Sequence, residues 1–378
     1  MTHRPAWAEV DLGAVRHNVG VLAGLAAPAR LCAVVKARAY GHGSVEVARA
    51  ALDGGASWLA VALVEEGAQL RDAGIEAPVL LLSEPPTDAM ADVVARGLTP
   101  TVYTLRGVAA AAAAASAAGA APLDVHVKVD TGMHRVGAPP ADSVKLAAIV
   151  DGRPELSLQG LWTHFAVADD PSDPFTALQA DRFLSVLKEL AGLGVRPLLA
   201  HACNSAGLLA HPRARHDLVR CGLAVYGVAP SPALQGLCAD LRPALALKAR
   251  VSLVKEVAAG EGVSYGLRFR AAGPTMIATV PIGYADGVPW RLAGMGGEVL
   301  VGGRRRPIAG AVTMDQLMVD CGAAGSEAGR PVEVGDEVVL IGRQGDEVIG
   351  AWDWAGRLGT IAYEVLSGIG PRVPRLYR

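Results

Sequence analysis

Short apolar runs recur along the first two thirds of the chain, each followed by a segment whose apolar positions repeat at helical spacing. The runs are 31–35, 58–62, 79–82, 99–103, 125–129, 158–162, 198–202 and 218–219. Runs this short read as strands buried on both faces. Examples of the helix-like segments between them are 44–52, 64–73, 87–95, 105–118, 141–150 and 175–193. Eight such strand–helix units in series predict an α/β fold of the (β/α)8 barrel type. A doubly wound sheet is the alternative, but it supplies no reason for eight similar units. The alanine-rich stretch 109–118 reads as an ordinary surface helix, because alanine is the best helix former.

Beyond about Asp240 the texture changes. β-branched, glycine-punctuated runs take over at 249–257, 275–282, 298–301, 316–319 and 337–341, and a helical pattern returns only at 360–366. The expectation is a barrel over residues 11–240 and a mainly-β domain built from 1–10 and 241–378. Residues 7–10 read as a strand that pairs into this second domain, since a barrel entered at Asp11 leaves it unused. Asp11 itself is placed to cap the helix that follows.

Bulk properties narrow the function. With 378 residues, 51% of them hydrophobic, the chain can bury a large core in two domains. A net charge of −2 argues against nucleic acid or an anionic membrane as a partner. Cys32, Cys203, Cys221, Cys238 and Cys321 show no paired spacing, which favours thiols in a reducing compartment. The N-terminus lacks an apolar signal core, and no apolar run reaches membrane-spanning length. A soluble cytoplasmic protein without a metal centre is expected.

Candidate chemistry gathers at the C-terminal ends of the expected strands, where a barrel builds its site. Lys36 ends the run 31–35 and is followed by Tyr40-Gly41-His42-Gly43. A lysine at the end of a buried strand is costly unless paired or altered, and one alteration is a Schiff base with an aldehyde cofactor. A lysine that merely snorkels out of the strand end is the competing reading. Lys128, Asp130 and Arg135 end or follow strand five, His164 follows strand six, Asn204 and Ser205 follow strand seven, and Arg220 and Gly222 follow strand eight. Ser205 and Gly222 suit a phosphate site of backbone N–H groups. In the β-rich part, Ser264-Tyr265-Gly266, Gly283-Tyr284-Ala285-Asp286, Met314-Asp315 and Tyr363 stand out, although each tyrosine alone reads as a packing residue with a satisfied hydroxyl.

The lysine stretch resembles the pyridoxal phosphate motif of alanine racemases, Lys-Ala-Asn-Ala-Tyr-Gly-His-Gly, with Arg38 in place of Asn. The remaining pieces match that family in the same order from Trp7 to Arg375. The resemblance implies a PLP-dependent homodimer that interconverts L- and D-alanine and supplies D-alanine for peptidoglycan or a specialised pathway. It makes Lys36 the Schiff-base lysine and one catalytic base, and Tyr265, reaching into the partner's site, the other. It puts Arg220 on the pyridine nitrogen and His164 beside Tyr265. Tyr40, Asn204, Ser205, Gly222, Leu223 and Tyr363 would hold the cofactor, chiefly its phosphate. Arg135 and the Met314 backbone would receive the substrate carboxylate, with Tyr284 and Asp315 lining the approach. Lys128 matches a lysine that many members carry as a carbamate. Two departures, Arg38 and His134, remove no catalytic group but bear on substrate range.

Three other functions compete. One is racemisation of serine or another amino acid. Another is a non-catalytic PLP-binding protein, against which Tyr265 and Arg135 argue. The third is a decarboxylase on the same barrel, for which Cys321 lies in no suitable motif.

Overall fold

A computed structural model describes residues 4–119, 122–323 and 331–378. The chain divides into two compact units. One comprises Gly13–Ala39 and Ser44–Arg242, and the other Met1–Leu12, Tyr40–Gly43 and Pro243–Arg378.

Strand β1 (Ala6–Val10) belongs to the second unit, and the first unit carries eight parallel strands. These are β2 (Arg30–Val34), β3 (Trp58–Val61), β4 (Val79–Leu81), β5 (Thr101–Val102), β6 (Leu123–Lys128), β7 (Leu156–Trp162), β8 (Leu199–His201) and β9 (Leu218–Cys221). They form the ribbons β4-β3-β2-β9 and β5-β6-β7-β8. The ribbons close on each other at both seams. Leu80 bridges Thr99 in parallel at one, and the Asp217 and Arg220 amides donate to the Ala200 and Cys203 carbonyls at the other. This is the expected barrel, and closure leaves no sheet edge.

Helices follow the strands with local signals that explain their ends. Thr104 Oγ1 accepts the Gly107 amide to start helix Leu105–Ala118, and Gly119 closes it at φ 59°. Ala111, Ala112 and Ala115 are buried there, so the alanine run is a packed helix face as well as a surface one. Helix Phe175–Gly192 buries Thr176, Gln179, Phe183, Val186 and Leu190, a stripe at helical spacing. The last strand runs further than its apolar run. Arg220 lies inside β9 and not after it, and is only 2% exposed.

In the second unit β1 pairs antiparallel with β10 (Leu245–Arg250). Its other strands are β11 (Leu253–Val257), β12 (Gly262–Val263), β13 (Phe269–Arg270), β14 (Thr275–Val280), β15 (Glu298–Val301), β16 (Arg304–Pro307), β17 (Leu317–Asp320), β18 (Glu337–Gln344), β19 (Glu347–Ile349) and β20 (Arg375–Tyr377). One sheet runs β16-β15-β18-β10-β1-β20, with β19 on β18, and a second runs β11-β14-β17. The run 249–257 is therefore two strands. It breaks where the Val251 amide donates to Asp336 and the Ser252 amide to Thr279, as the chain leaves one sheet for the other. The helix expected at 360–366 is Ala362–Ser367, preceded by Ala351–Leu358. Among the described residues no helix is long and apolar enough to cross a membrane, and no cluster of His, Cys, Asp or Glu could hold a metal ion. All five cysteines are buried.

Candidate active site

Lys36 stands directly after β2, and the chain then makes a left-handed turn. Ala37, Arg38, Ala39 and Tyr40 have φ of 51°, 57°, 53° and 52°. Each non-glycine residue in that region costs roughly 1–2 kcal/mol, so the turn needs an anchor. Glu66 supplies it. Its Oε1 accepts the Ala37 amide at 2.6 Å, while Oε2 accepts those of Ala62 and Leu63 at 2.8 and 3.2 Å. Sequence reading saw Glu66 only as part of a helix. Burial pulls the Lys36 amine below its usual pKa, Arg135 pulls the same way, and Glu66 opposes them.

Arg220 is held on every side. Nη1 donates to His201 Nδ1 at 2.8 Å, and Nη2 donates to the Thr163 and Ala202 carbonyls at 2.8 and 2.9 Å. Nη2 also reaches His164 Nδ1 at 3.3 Å. Burial lowers Arg220 to about 10, so it stays charged at neutral pH. Its guanidinium lies 4.5 Å from the centre of the Trp162 ring, and Lys128 Nζ lies 4.2 Å from the same centre. Burial, then Arg220 and Arg135, pull Lys128 down to about 7 against the pull of Asp130. His164 is pushed well below its usual value by burial, then by Arg220, Lys128, Arg135 and Lys36. A neutral His164 whose Nδ1 accepts from Arg220 carries its proton on Nε2.

The ends of β8 and β9, which flank one barrel seam, gather polar groups. Asn204 Oδ1 accepts the Gly207 amide at 2.8 Å and caps helix Ser205–Ala210. Ser205 Oγ accepts the Gly222 amide at 2.9 Å and the Ala224 amide at 3.4 Å, so a hydroxyl and the turn beginning at Leu223 are gathered together. Arg135 is exposed on the loop after β6. Asp130 shapes that loop, its Oδ1 accepting the Gly132 and His134 amides, each at 3.0 Å. Burial raises the Asp130 pKa, but those amides and the His134 ring outweigh it and hold it low. His134 takes φ 53° with its ring Nδ1 3.2 Å from Asp130 Oδ2, so its place in the chain is a loop-forming one.

The β-rich unit holds the remaining candidates. Tyr40 and Tyr363 lie 6.0 Å apart, ring centre to ring centre. Arg375 Nε donates to the Gly41 carbonyl at 2.8 Å and pins the segment that carries Tyr40. Tyr284 and Met314 sit on adjoining turns, where the Tyr284 amide donates to Thr313 and the Ala285 amide to Met314. A Cβ on Gly283 would come within 2.2 Å of the Thr313 carbonyl, so only glycine allows this approach. Asp315 accepts from Arg372 Nη2 at 2.6 Å. Tyr265 sits at the tip of the β12–β13 hairpin and is 76% exposed. Ser264, Gly266 and Leu267 have φ of 66°, 73° and 46°, and Ser264 Oγ donates to the Ala311 carbonyl at 2.8 Å. Tyr265 is thus held out from the chain on a conformationally constrained tip.

The pattern of a barrel with a β-rich companion, a strand-end lysine and a buried strand-borne arginine matches known families. Residues 10–230 match the family described as alanine racemase, N-terminal domain, and residues 244–377 match alanine racemase, C-terminal domain. The chain belongs to the alanine racemase family. It is 47% identical to the alanine racemase of Symbiobacterium thermophilum, over 99% of this chain and 97% of that one. It is 45% identical to that of Carboxydothermus hydrogenoformans, over 99% and 100%. The crystal structure of alanine racemase from D-cycloserine-producing Streptomyces lavendulae superposes with a TM-score of 0.92 at 42% identity, covering 100% of this chain and 98% of that one. The Bacillus anthracis enzyme with bound L-Ala-P gives 0.91 at 39%, covering 100% and 96%.

The family uses pyridoxal phosphate, and the barrel residues fit it chemically. They offer an amine with a lowered pKa, a cation that stays charged, and a hydroxyl beside converging amides.

Proposed function

We propose that the chain interconverts L- and D-alanine by a two-base mechanism, with pyridoxal phosphate carried on Lys36. The observation that carries this reading is Arg220, a buried cation with its donors fixed, on the same barrel as a strand-end lysine whose amine is held towards neutrality. Bound there, the cofactor would supply an electron sink that makes the substrate Cα proton removable.

The chain's own residues would do the rest. Racemisation removes a proton from one face of Cα and returns one on the other, so it calls for an acid/base group on each face. Lys36 takes one face through its amine. Tyr265 of a second copy takes the other, which accords with its exposure at a hairpin tip. His164, its Nε2–H directed away from Arg220, would donate to the tyrosine oxygen and favour its ionised form. Arg220, which cannot readily give up a proton, would meet the cofactor without protonating it, and so would keep the electron sink weak and disfavour transamination. Tyr40, Ser205, Gly222, Leu223 and Tyr363 would hold the phosphate end, and Asn204 would also serve the cofactor. Arg135 would clamp the substrate carboxylate with the help of the Met314 backbone, and Tyr284 and Asp315 would line the approach.

Lys128 would react with carbon dioxide. With a pKa of about 7 it is substantially neutral at physiological pH, as carbamate formation requires, and a carbamate would exchange a repulsive neighbour of Arg135 and Arg220 for an attractive one. The division of labour would be a cofactor-binding domain over residues 11–240 and a β-rich domain from 1–10 and 241–378 that donates Tyr265 to the partner. The homodimer would work in the cytoplasm, supplying D-alanine.

Incubating the purified dimer with L-alanine, L-serine and a panel of other L-amino acids, followed by chiral chromatography, tests the reading. D-Alanine should form fastest. Faster conversion of another amino acid would move the assignment to that substrate, and no conversion of any would leave only a PLP-binding protein.

A further inference from the structure

Arg220 stands at one end of a chain of hydrogen bonds, buried at its two histidines and half-buried at its far end, that the reaction chemistry above does not use. Arg220 Nη1 meets His201 Nδ1 at 2.8 Å, and His201 Nε2 meets His126 Nδ1 at 2.9 Å. His126 Nε2 meets Gln159 Oε1 at 3.1 Å, and Gln159 Nε2 meets Asp124 Oδ2 at 2.5 Å. His126 and His201 are both fully buried, and Arg220 nearly so.

The protons in this chain are determined by its ends. A guanidinium only donates, so His201 Nδ1 accepts and its proton sits on Nε2. That proton leaves His126 Nδ1 as acceptor and puts the His126 proton on Nε2. Gln159 then accepts with its oxygen and donates with its nitrogen to a carboxylate, which only accepts. Every link has one donor and one acceptor, and all point from cation to anion. Burial supports the neutral rings, lowering His126 to about 4 and His201 well below its usual value, with Arg220 adding to both shifts. Aligned bonds of this kind polarise one another.

The surrounding structure is shaped to hold the chain. A Cβ on Gly160 would fall 2.4 Å from His126 Nδ1, so the ring occupies space that only a glycine leaves. The β6–β7 register shifts between Val125 and His126, beside that glycine. Trp162 stacks on His201 with ring centres 5.6 Å apart and planes 6° apart.

We propose that His201, His126, Gln159 and Asp124 are positioning residues for Arg220, forming a one-way hydrogen-bond chain that fixes the orientation and charge of the guanidinium that would meet the cofactor. The proposal rests on the reading above in one respect, that Arg220 meets the cofactor. Its structural half stands without the cofactor.

The test has two parts. In cofactor-free dimer labelled with 15N-histidine, NMR should find both rings neutral with Nε2–H and bare Nδ1 at neutral pH, and unchanged when pyridoxal phosphate is added. A ring carrying Nδ1–H, or both protons, would overturn the proposal. In loaded enzyme, His201→Leu removes the acceptor facing Arg220, whereas His201→Asn places an oxygen near the former Nδ1. His201→Leu should lower kcat tenfold or more, change KM less than twofold and displace the visible absorption band of the cofactor. His201→Asn should largely restore both. Wild-type kcat and band position in His201→Leu would refute the positioning role. If that variant fails to fold, Gln159→Leu provides the same readout from the far half of the chain. Borohydride labelling of a lysine other than Lys36 would instead sink the functional reading and leave the NMR result standing.

Discussion

Replacing Glu66 with glutamine tests what holds the lysine turn in its left-handed form. The carboxylate accepts three backbone amides, Ala37 on one oxygen and Ala62 and Leu63 on the other. Glutamine has one acceptor atom. It keeps two amides by facing Ala62 and Leu63, and then turns its own NH2 towards the Ala37 amide. Leaving one buried donor unmet costs about 1–3 kcal/mol. The Ala37 amide is near solvent, which can partly replace the lost acceptor, so the lower part of that range applies. About 1–2 kcal/mol corresponds to a factor of roughly 5–30 in an equilibrium. Hydrogen exchange at the Ala37 amide should therefore quicken by about that factor, with an equal loss of stability in denaturant unfolding. The Lys36 pKa should fall further, because Glu66 is the group that raises it. An unchanged Ala37 exchange rate, with stability within about 0.5 kcal/mol of the parent as for an ordinary surface change, would refute the assignment of Glu66 as the anchor.

Three further outcomes are expected. Lys128 is pulled down to about 7 in the folded chain from an ordinary lysine value of 10.5, so the unfolded state binds more protons between those values. In carbon dioxide-free buffer its contribution to stability should rise with pH across that window; Lys128→Met should gain most relative to the parent below pH 7, the gap closing towards pH 10.5, and 13C-bicarbonate should give a carbamate NMR signal absent from the variant. Mixing inactive Lys36→Ala and Tyr265→Phe chains should restore activity, since one site of each heterodimer escapes both lesions; no recovery after confirmed subunit exchange would mean each site is built within one chain. Gly160→Ala, whose Cβ would fall 2.4 Å from the His126 ring, should destabilise the barrel by about 1–3 kcal/mol in thermal unfolding, and an unaltered melting temperature would show that the ring yields freely.

The barrel was legible because its strands are apolar runs separated by helical periodicity, a pattern that survives without any tertiary information. The ends of strands were less so. Reading β9 as two residues followed from treating Arg220 as a terminator, whereas a charge can sit inside a strand when its partners are supplied from β7, β8 and their loops. One signal was available. Asp124-Val125-His126-Val127-Lys128-Val129-Asp130 alternates polar and apolar residues. In a barrel whose outer face packs against helices, that alternation sends the polar set inwards, which would have picked out His126 and Lys128 as partners of a buried site. Glu66 carried no such signal. Its role depends on a left-handed turn after Lys36, and all four residues of that turn, Ala37 to Tyr40, are non-glycine types for which local propensity argues against it. The break at Val251–Ser252 was hidden for a related reason: two β-branched runs in separate sheets look continuous until their partners are known.

Solvent deuterium incorporation by Tyr265→Ala is the most direct test of the two-base reading. Wild-type enzyme should place deuterium at Cα of both alanine enantiomers. The variant should keep its bound cofactor but lose racemisation, and should still exchange the Cα proton of the enantiomer facing Lys36, the D form by family resemblance, much faster than that of the other. Exchange falling equally for both enantiomers would point to a single mobile base, and full racemase activity in Tyr265→Ala would contradict the mechanism outright.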